Sequence, residues 1–102
     1  MAILNTTLST GAGNIYASTG NTVVTTIYIC NTDSSTRTVN LYLIPSGGTA
    51  GTSNQIYKDL SITAGDTHIT VNERLVMGNG DMIQANASVN SVVVATVSYA
   101  GV

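Results

Sequence analysis

The chain has 102 residues, a length that suits one domain, and folding would bury roughly two-thirds of the surface that the unfolded chain exposes. Only 8% of the residues are charged, against about a quarter in ordinary soluble domains. Low charge favours a protein that assembles with neighbours, and a net charge of -2 argues against nucleic acid as a partner because no basic patch can neutralise phosphates.

The N-terminal part of the chain predicts one or two short strands. Strand character runs over Ile15–Ser18 and, less regularly, over Ile3–Leu8. Residues 1–13 have a short apolar start followed by Gly, Thr and Asn, so two interpretations stay open. The segment is either an extended arm that lies on a neighbouring molecule or an ordinary edge strand.

The segment from Asn21 to Ile44 holds two β-rich runs with the polar stretch Asn31–Thr36 between them, a pattern that predicts a hairpin. Apolar residues occupy both faces of each run. In the first run one face carries Val23, Thr25, Ile27 and Ile29, and the other carries Val24, Thr26, Tyr28 and Cys30. A monomeric sheet needs one apolar face, so the second face is expected to meet another sheet edge or another subunit.

Further strands follow a loop that starts at Pro45 and is rich in Gly, Ser and Thr. They are predicted over residues 55–62, 68–71, 81–87 and 92–99. No window shows a sustained helical stripe, and the count is about seven or eight short strands. We therefore predict an all-β fold, a two-layer antiparallel β-sandwich or jelly roll, in a single domain over residues 1–102.

The cluster Gly78-Asn79-Gly80-Asp81 admits a binding interpretation and a structural one. A phosphate-binding loop needs a following Lys-Ser/Thr pair and a helix N-terminus, and the sequence has neither. Asn-Gly ahead of an alternating run is a strong turn signal because both residues tolerate positive φ. We predict a structural turn there, and a second one at Gly65 and Asp66.

The remaining side chains that could act in catalysis or metal binding are scattered along the sequence. The five acidic residues lie too far apart in sequence for a calcium loop, and His68 stands alone in an alternating strand with no nucleophile elbow in the chain. The single cysteine, Cys30, excludes an intrachain disulfide and a cysteine zinc cluster. We predict no catalytic residue, no metal site and no cofactor, and hence a protein that is not an enzyme.

Glu73, Arg74 and Asp81 are notable because the chain otherwise avoids charge. We expect Arg74 to pair with one of the two carboxylates. The pair would either fix the corner before the last strands or contact a neighbouring subunit.

The N-terminal sequence MAILNTTLST lacks the basic region of a secretory signal, and no apolar run approaches membrane-spanning length. The sequence therefore predicts synthesis in a cytoplasm and no membrane partner.

Residues 63–102, TAGDTHITVNERLVMGNGDMIQANASVNSVVVATVSYAGV, combine five features in order. These are a Gly-Asp turn, a leucine-centred segment, a Gly-x-Gly-Asp turn, an I-x-A-x-A strand and a Val-rich strand ending in Ser-Tyr. The pattern resembles the C-terminal half of small β-sandwich virion structural proteins of tailed bacteriophages. The stretch YICNTDSSTRTVNLYLIPSGG resembles the paired strands of the same family, so the resemblance covers most of the chain.

The resemblance implies an all-β sandwich, symmetric oligomers and no enzymatic activity. Together with the low charge it predicts a capsid decoration, or cement, protein that bridges neighbouring subunits of the major capsid protein on the outer capsid surface. We expect a homotrimer, synthesised in the host cytoplasm. Two alternatives stay open: a tail, baseplate or head-tail joining component, and a carbohydrate-binding module of a host-recognition appendage.

Overall fold

The computed structural model describes residues 2–70 and 75–101, and within these residues it contains strands and no helix. The predicted all-β sandwich is confirmed, with nine strands where the sequence predicted seven or eight. The additional strand is the three-residue β7, which was predicted as a leucine-centred segment. The strands are β1 (Ala2–Thr7), β2 (Gly13–Ala17), β3 (Thr22–Asn31), β4 (Arg37–Ile44), β5 (Gln55–Ile62), β6 (Thr67–Thr70), β7 (Leu75–Met77), β8 (Met82–Ala87) and β9 (Val93–Gly101).

The topology consists of four nested antiparallel pairs: β1 with β9, β2 with β8, β3 with β6 and β4 with β5. Such nesting describes one long antiparallel ribbon. The ribbon is rolled so that β9 also pairs with β3, and β8 with β4. The resulting five-stranded sheet, in the order β1-β9-β3-β6 with β7 also on β3, packs against the four-stranded sheet β2-β8-β4-β5. This arrangement is a jelly roll.

Small and β-branched side chains fill the space between the two sheets, as the absence of Phe and Trp requires. On β8, Ile83, Ala85 and Ala87 are at most 3% exposed, so the apolar positions of the I-x-A-x-A segment form the inward face of this strand. The facing strand β9 contributes Val93, Ala95 and Val97, all fully buried. Alternation of this kind places the remaining side chains of both strands on the outer surfaces of the sandwich.

A β-bulge in β3 corrects the predicted faces of that strand. The register with β9 shifts between Val24 and Thr26, and the hydroxyl of the intervening Thr25 donates to the Ser98 carbonyl at 3.1 Å. The extra residue reverses the alternation, so Val24 and Ile27 both point into the core, each 1% exposed. The predicted grouping of Val23 and Thr25 with Ile27 and Ile29 is therefore wrong for the first half of the strand.

The predicted hairpin between the third and fourth strands is also wrong, because β3 and β4 lie in different sheets. Residues 32–36 cross from one layer to the other. The fully buried side chain of Asn31 holds this crossing: its Nδ2 donates to the carbonyls of Ser35 and Ile62, both at 2.9 Å, and its Oδ1 accepts from the Asp33 amide at 3.0 Å. One buried side-chain amide thus satisfies three backbone groups, two in the crossing itself and one at the end of β5.

Residues 2–7, for which the sequence left an arm or an edge strand open, form the edge strand β1. Its six residues pair in continuous register with β9, from Ala2 opposite Tyr99 to Thr7 opposite Val94. Leu8, which follows the strand, is 3% exposed and belongs to the core.

Candidate interaction surface

The turn at Gly65 and Asp66 joins β5 to β6 and therefore crosses between the sheets. Gly65 has φ 76°, in the left-handed region that glycine favours, and the Asp66 amide donates to the Thr63 carbonyl at 2.9 Å. The Asp66 carbonyl accepts from the Asn31 amide at 2.9 Å. This turn and the crossing that follows β3 are consequently bonded to each other.

The segment Gly78–Asp81 is a turn whose carboxylate bonds only to backbone amides. One oxygen of Asp81 accepts from the Gly78 amide at 2.8 Å, and the other accepts from the Ser46 amide at 2.9 Å. Gly80 has φ 88°, and its amide donates to the Ser18 carbonyl at 2.9 Å. The carboxylate joins two loops at one end of the sandwich, and both of its oxygens are used in doing so.

Glu73 and Arg74 lie outside the described residues, so the predicted pairing of Arg74 with a carboxylate remains a prediction. The ion pair that the described residues do contain is between Arg37 and Asp33, with Nε of the guanidinium 2.7 Å from Oδ2. The Arg37 hydrogen bond, followed by the Ser34 amide, lowers the pKa of Asp33. Opposite charges four residues apart in a polar turn were the sequence signal for this pair.

His68 does not form a catalytic triad with the nearby serine and aspartate. Ser61, Asp66 and His68 line one depression of about 180 Å³, but the bonding partner of the imidazole is a tyrosine. Its Nε2 lies 3.4 Å from the Tyr57 hydroxyl, and the two rings meet edge to face at 5.2 Å. This geometry favours a packing role for His68, because a nucleophile needs the base within hydrogen-bond reach.

No group of three His, Cys, Asp or Glu residues suited to a metal ion occurs within residues 2–70 and 75–101. A cavity of about 270 Å³ lies at the same end of the sandwich as the Gly78–Asp81 turn. Its walls are mainly aliphatic and thioether side chains, and its one carboxylate, that of Asp81, is held by two amides. The cavity lining consists of Leu43, Ile44, Pro45, Leu75, Val76, Met77, Asp81 and Met82.

The outer surface of the five-stranded sheet is the most distinctive surface of the molecule, and we call it the neutral face. None of the described residues of its strands is charged. Four large apolar side chains are exposed on it: Ile3 by 70%, Tyr28 by 40%, Ile69 by 45% and Val76 by 77%. The register places Asn5, Thr96, Tyr28 and Ile69 in one row across β1, β9, β3 and β6. Between the apolar groups the face presents hydroxyls, one amide and the half-buried thiol of Cys30.

The outer surface of the four-stranded sheet differs in chemistry. Its side-chain amides bond to one another: Gln84 donates to Asn14 at 2.8 Å and Gln55 donates to Asn40 at 2.9 Å. Lys58 and Asp59 of the edge strand β5 are exposed. The two broad surfaces of the sandwich are therefore not equivalent, and the amide-rich one already satisfies much of its own hydrogen bonding.

The tyrosines do not converge on one loop end, which is what a stacking site for a sugar would need, and Tyr28 is the one that is exposed. Tyr28 lies on the neutral face, whereas Tyr42, opposite Gln84, lies on the outer surface of the four-stranded sheet. Tyr16 and Tyr99 pack against each other at the edge of the core, with ring centroids 4.5 Å apart.

The sequence predicted strands with two apolar faces, but it did not identify which surface would stay open. The exposed residues Ile3, Ile69 and Val76 were missed as a group because they come from three separate strands. Their shared signal is the lack of any charge in those strands.

In the part of the chain that the structure covers, no helix has the length and apolar character needed to cross a membrane. Comparisons with family models, with curated proteins and with solved structures found no match to this chain.

Proposed function

We propose that this chain is a non-enzymatic structural protein of a bacteriophage virion, a decoration protein that binds the outer capsid surface as a symmetric homo-oligomer. A homotrimer is the form expected from the sequence resemblance. The observation that carries the proposal is the neutral face. A fold alone does not define a function, and jelly rolls also serve in lectins and enzymes, so the surface chemistry has to support the role.

The neutral face is suited to a permanent contact with other protein. Burial of hydroxyl and aliphatic groups avoids the desolvation cost that buried charges carry. The two longest dimensions of the molecule are 38 and 27 Å, so a broad face offers on the order of 1000 Å², above the ~800 Å² that each partner contributes to a standard interface. Such a contact would also remove from water the four large apolar side chains that the face exposes.

Binding to the assembled shell would stabilise it by mass action. A decoration protein that contacts two neighbouring capsid subunits binds the assembled state and not the dispersed subunits, so it shifts the equilibrium towards the shell. Because the face has no charged groups among the described residues, the affinity should depend only weakly on salt.

The placement of the titratable groups supports a non-enzymatic role. Asp33 bonds to Arg37, Asp81 bonds to two backbone amides and His68 packs on Tyr57. Each of these side chains stabilises a loop or an edge of the sandwich. Among the described residues they do not gather around a substrate-sized cavity.

Cryo-electron microscopy of phage particles that carry this chain tests the placement. We expect its density on the outer shell, repeated over the capsid lattice, with the neutral face in contact with capsid subunits or with other copies. Density confined to the tail, with a copy number of tens or fewer per particle, would reject the decoration role in favour of a tail or joining component.

A pair of matched variants tests the face itself. Ile69 on the neutral face and Ile56 on β5 are both 45% exposed, so Ile69→Glu and Ile56→Glu introduce the same charge at equally accessible sites. Co-sedimentation with shells that lack the protein should be lost for Ile69→Glu and kept for Ile56→Glu. Equal binding by both variants would contradict a role for the neutral face.

A further inference from the structure

The outer edge of β1 is an unprotected strand edge. Among the described residues β1 pairs only with β9, and it ends the order of its sheet. Its six residues, AILNTT, include no charge, no Gly and no Pro, and the register with β9 has no bulge. Ile3 is 70% exposed and Leu4 is 40% exposed. A strand edge of this kind is a template for pairing with another strand.

The other sheet edges carry features that discourage such pairing. On β2 the strand begins at Gly13, and the register with β8 shifts between Asn14 and Tyr16. On β5, Lys58 is charged and Asp59 has φ 52°, and the register with β4 shifts twice. The opposite edge of the five-stranded sheet is formed by β6 and β7, which have four and three residues. Charges, bulges and short strands are the usual means of blocking edges, and β1 has none of them.

We propose that β1 pairs antiparallel with β1 of a second copy of this chain. An uncharged strand of similar length without a bulge suits this edge best, and among the edges that the described residues form only β1 itself has all three properties. Pairing of an edge with its own copy is isologous and closes after two subunits. In the resulting dimer neither β1 edge is left open. Pairing of β1 with a different edge of the next copy would instead leave one edge open at each step and would build an open-ended polymer.

The fold restricts the register of this pair. A continuous sheet keeps the neutral faces of both copies on the same side, so residues directly opposite each other must share a face. Ile3, Asn5 and Thr7 lie on the neutral face, opposite Ser98, Thr96 and Val94 of β9. The twofold axis therefore passes through a residue, Leu4 or Asn5, and not between two residues. In either register the two neutral faces join into one surface.

The predicted contact is modest in size. Two strands of six residues span about 20 Å and exchange about six backbone hydrogen bonds. Such a contact alone buries less than the ~800 Å² per partner of a standard interface, so we expect a dimer that forms reversibly with concentration. The proposal does not depend on a virion role. It predicts twofold pairing, in contrast to the trimer expected from the sequence.

Sedimentation velocity over a wide concentration range tests the pairing, with the wild-type chain, Asn5→Lys and the control Ser61→Lys. Asn5→Lys places two like charges beside the twofold axis in either register, whereas Ser61 is exposed on the β5 edge. We expect a concentration-dependent dimer for the wild type and for Ser61→Lys, and a monomer for Asn5→Lys. A wild-type monomer at all concentrations, or an oligomer that Asn5→Lys leaves unchanged, would overturn the proposal.

Disulfide trapping provides a second test that does not need the lysine variant to fold. In a Cys30→Ser background, Leu4→Cys or Asn5→Cys should form an intermolecular disulfide under mild oxidation, because residues on the axis face their own copies. Ile56→Cys, on the β5 edge and 45% exposed, is the matched control. Cross-linking no faster at the β1 positions than at position 56 would refute the pairing.

Discussion

Replacement of Asn31 by aspartate tests the hydrogen bonds that stabilise the crossing of the chain from one sheet to the other. The side chain is fully buried and makes three hydrogen bonds: two donated by Nδ2, to the carbonyls of Ser35 and Ile62, and one accepted by Oδ1, from the Asp33 amide. Aspartate has nearly the same shape, but when ionised it cannot donate. The substitution therefore changes the bonding while it keeps the volume.

The expected magnitudes follow from the bonds lost. Asn31→Ala removes all three, and at about 1 kcal/mol each it should lower the free energy of unfolding by about 3 kcal/mol. Asn31→Asp keeps the bond from the Asp33 amide, but it leaves two carbonyl oxygens facing a buried carboxylate. Because an unpaired buried charge costs more than a missing bond, we expect a loss of at least about 4 kcal/mol at neutral pH.

The loss of unfolding free energy in Asn31→Asp should also depend on pH. Burial raises the pKa of the introduced carboxyl above its unfolded-state value, and the protonated form can donate to one of the two carbonyls. The stability of the variant is then highest below the unfolded-state pKa and falls as the pH rises through the folded-state pKa. The difference from the wild type should accordingly shrink on acidification from pH ~7 to ~5.

Urea unfolding followed by far-UV circular dichroism measures these differences. The control is Asn79→Asp, since the Asn79 side chain is exposed and its Oδ1 only accepts, from the Gly20 amide at 2.9 Å. This variant should stay within about 0.5 kcal/mol of the wild type. The reasoning would be refuted if Asn31→Asp were more stable than Asn31→Ala at neutral pH. It would also be refuted if acidification did not reduce the difference in free energy of unfolding between Asn31→Asp and the wild type.

Two further predictions concern the turns. Gly20 and Gly80 have φ 71° and 88°, but a Cβ on Gly20 would meet nothing within 4 Å, whereas one on Gly80 would overlap the Ser46 hydroxyl. Thermal unfolding should show a cost of about 1 kcal/mol for Gly20→Ala and about 3 kcal/mol for Gly80→Ala, and equal costs would contradict the close approach. The hydrogen bond from Arg37, followed by one from the Ser34 amide, lowers the pKa of Asp33. The ionised Asp33 carboxylate therefore stabilises the fold above its unfolded-state pKa, and this stabilisation is lost as the pH falls through the folded-state pKa. In an NMR titration Arg37→Ala should raise the pKa of Asp33, and an unchanged value would exclude the guanidinium as the main cause.

Local chemistry in the sequence was sufficient to place most strands and turns. Strand β5, Gln55–Ile62, is observed with the predicted ends, and the segment Gly78–Asp81 turns the chain with Gly80 at φ 88°, in the left-handed region that glycine favours. Strand β7 was missed because three residues are too few to show an alternation.

Pairing between strands was not predictable in the same way. Alternation indicates which side chains share a face, but it does not indicate which strand lies next to which. The polar stretch after Asn31 resembles a hairpin turn, and its role as a crossing depends on the Ile62 carbonyl, which is distant in sequence. The bulge at Thr25 likewise has no signal in the local sequence, because threonine fits a regular strand equally well.

The sequence by itself determined that this chain is a single-cored β-sandwich of small apolar side chains with few charges, since composition and alternation are local properties. The tertiary structure decided which surface is left open. Rolling of the antiparallel ribbon brings Ile3, Tyr28 and Ile69 from three separate strands onto one neutral face, and it leaves β1 at an edge. Both outcomes depend on contacts between residues far apart in the chain, so the order of the strands, more than the identity of any one residue, determines which surface and which strand edge stay exposed.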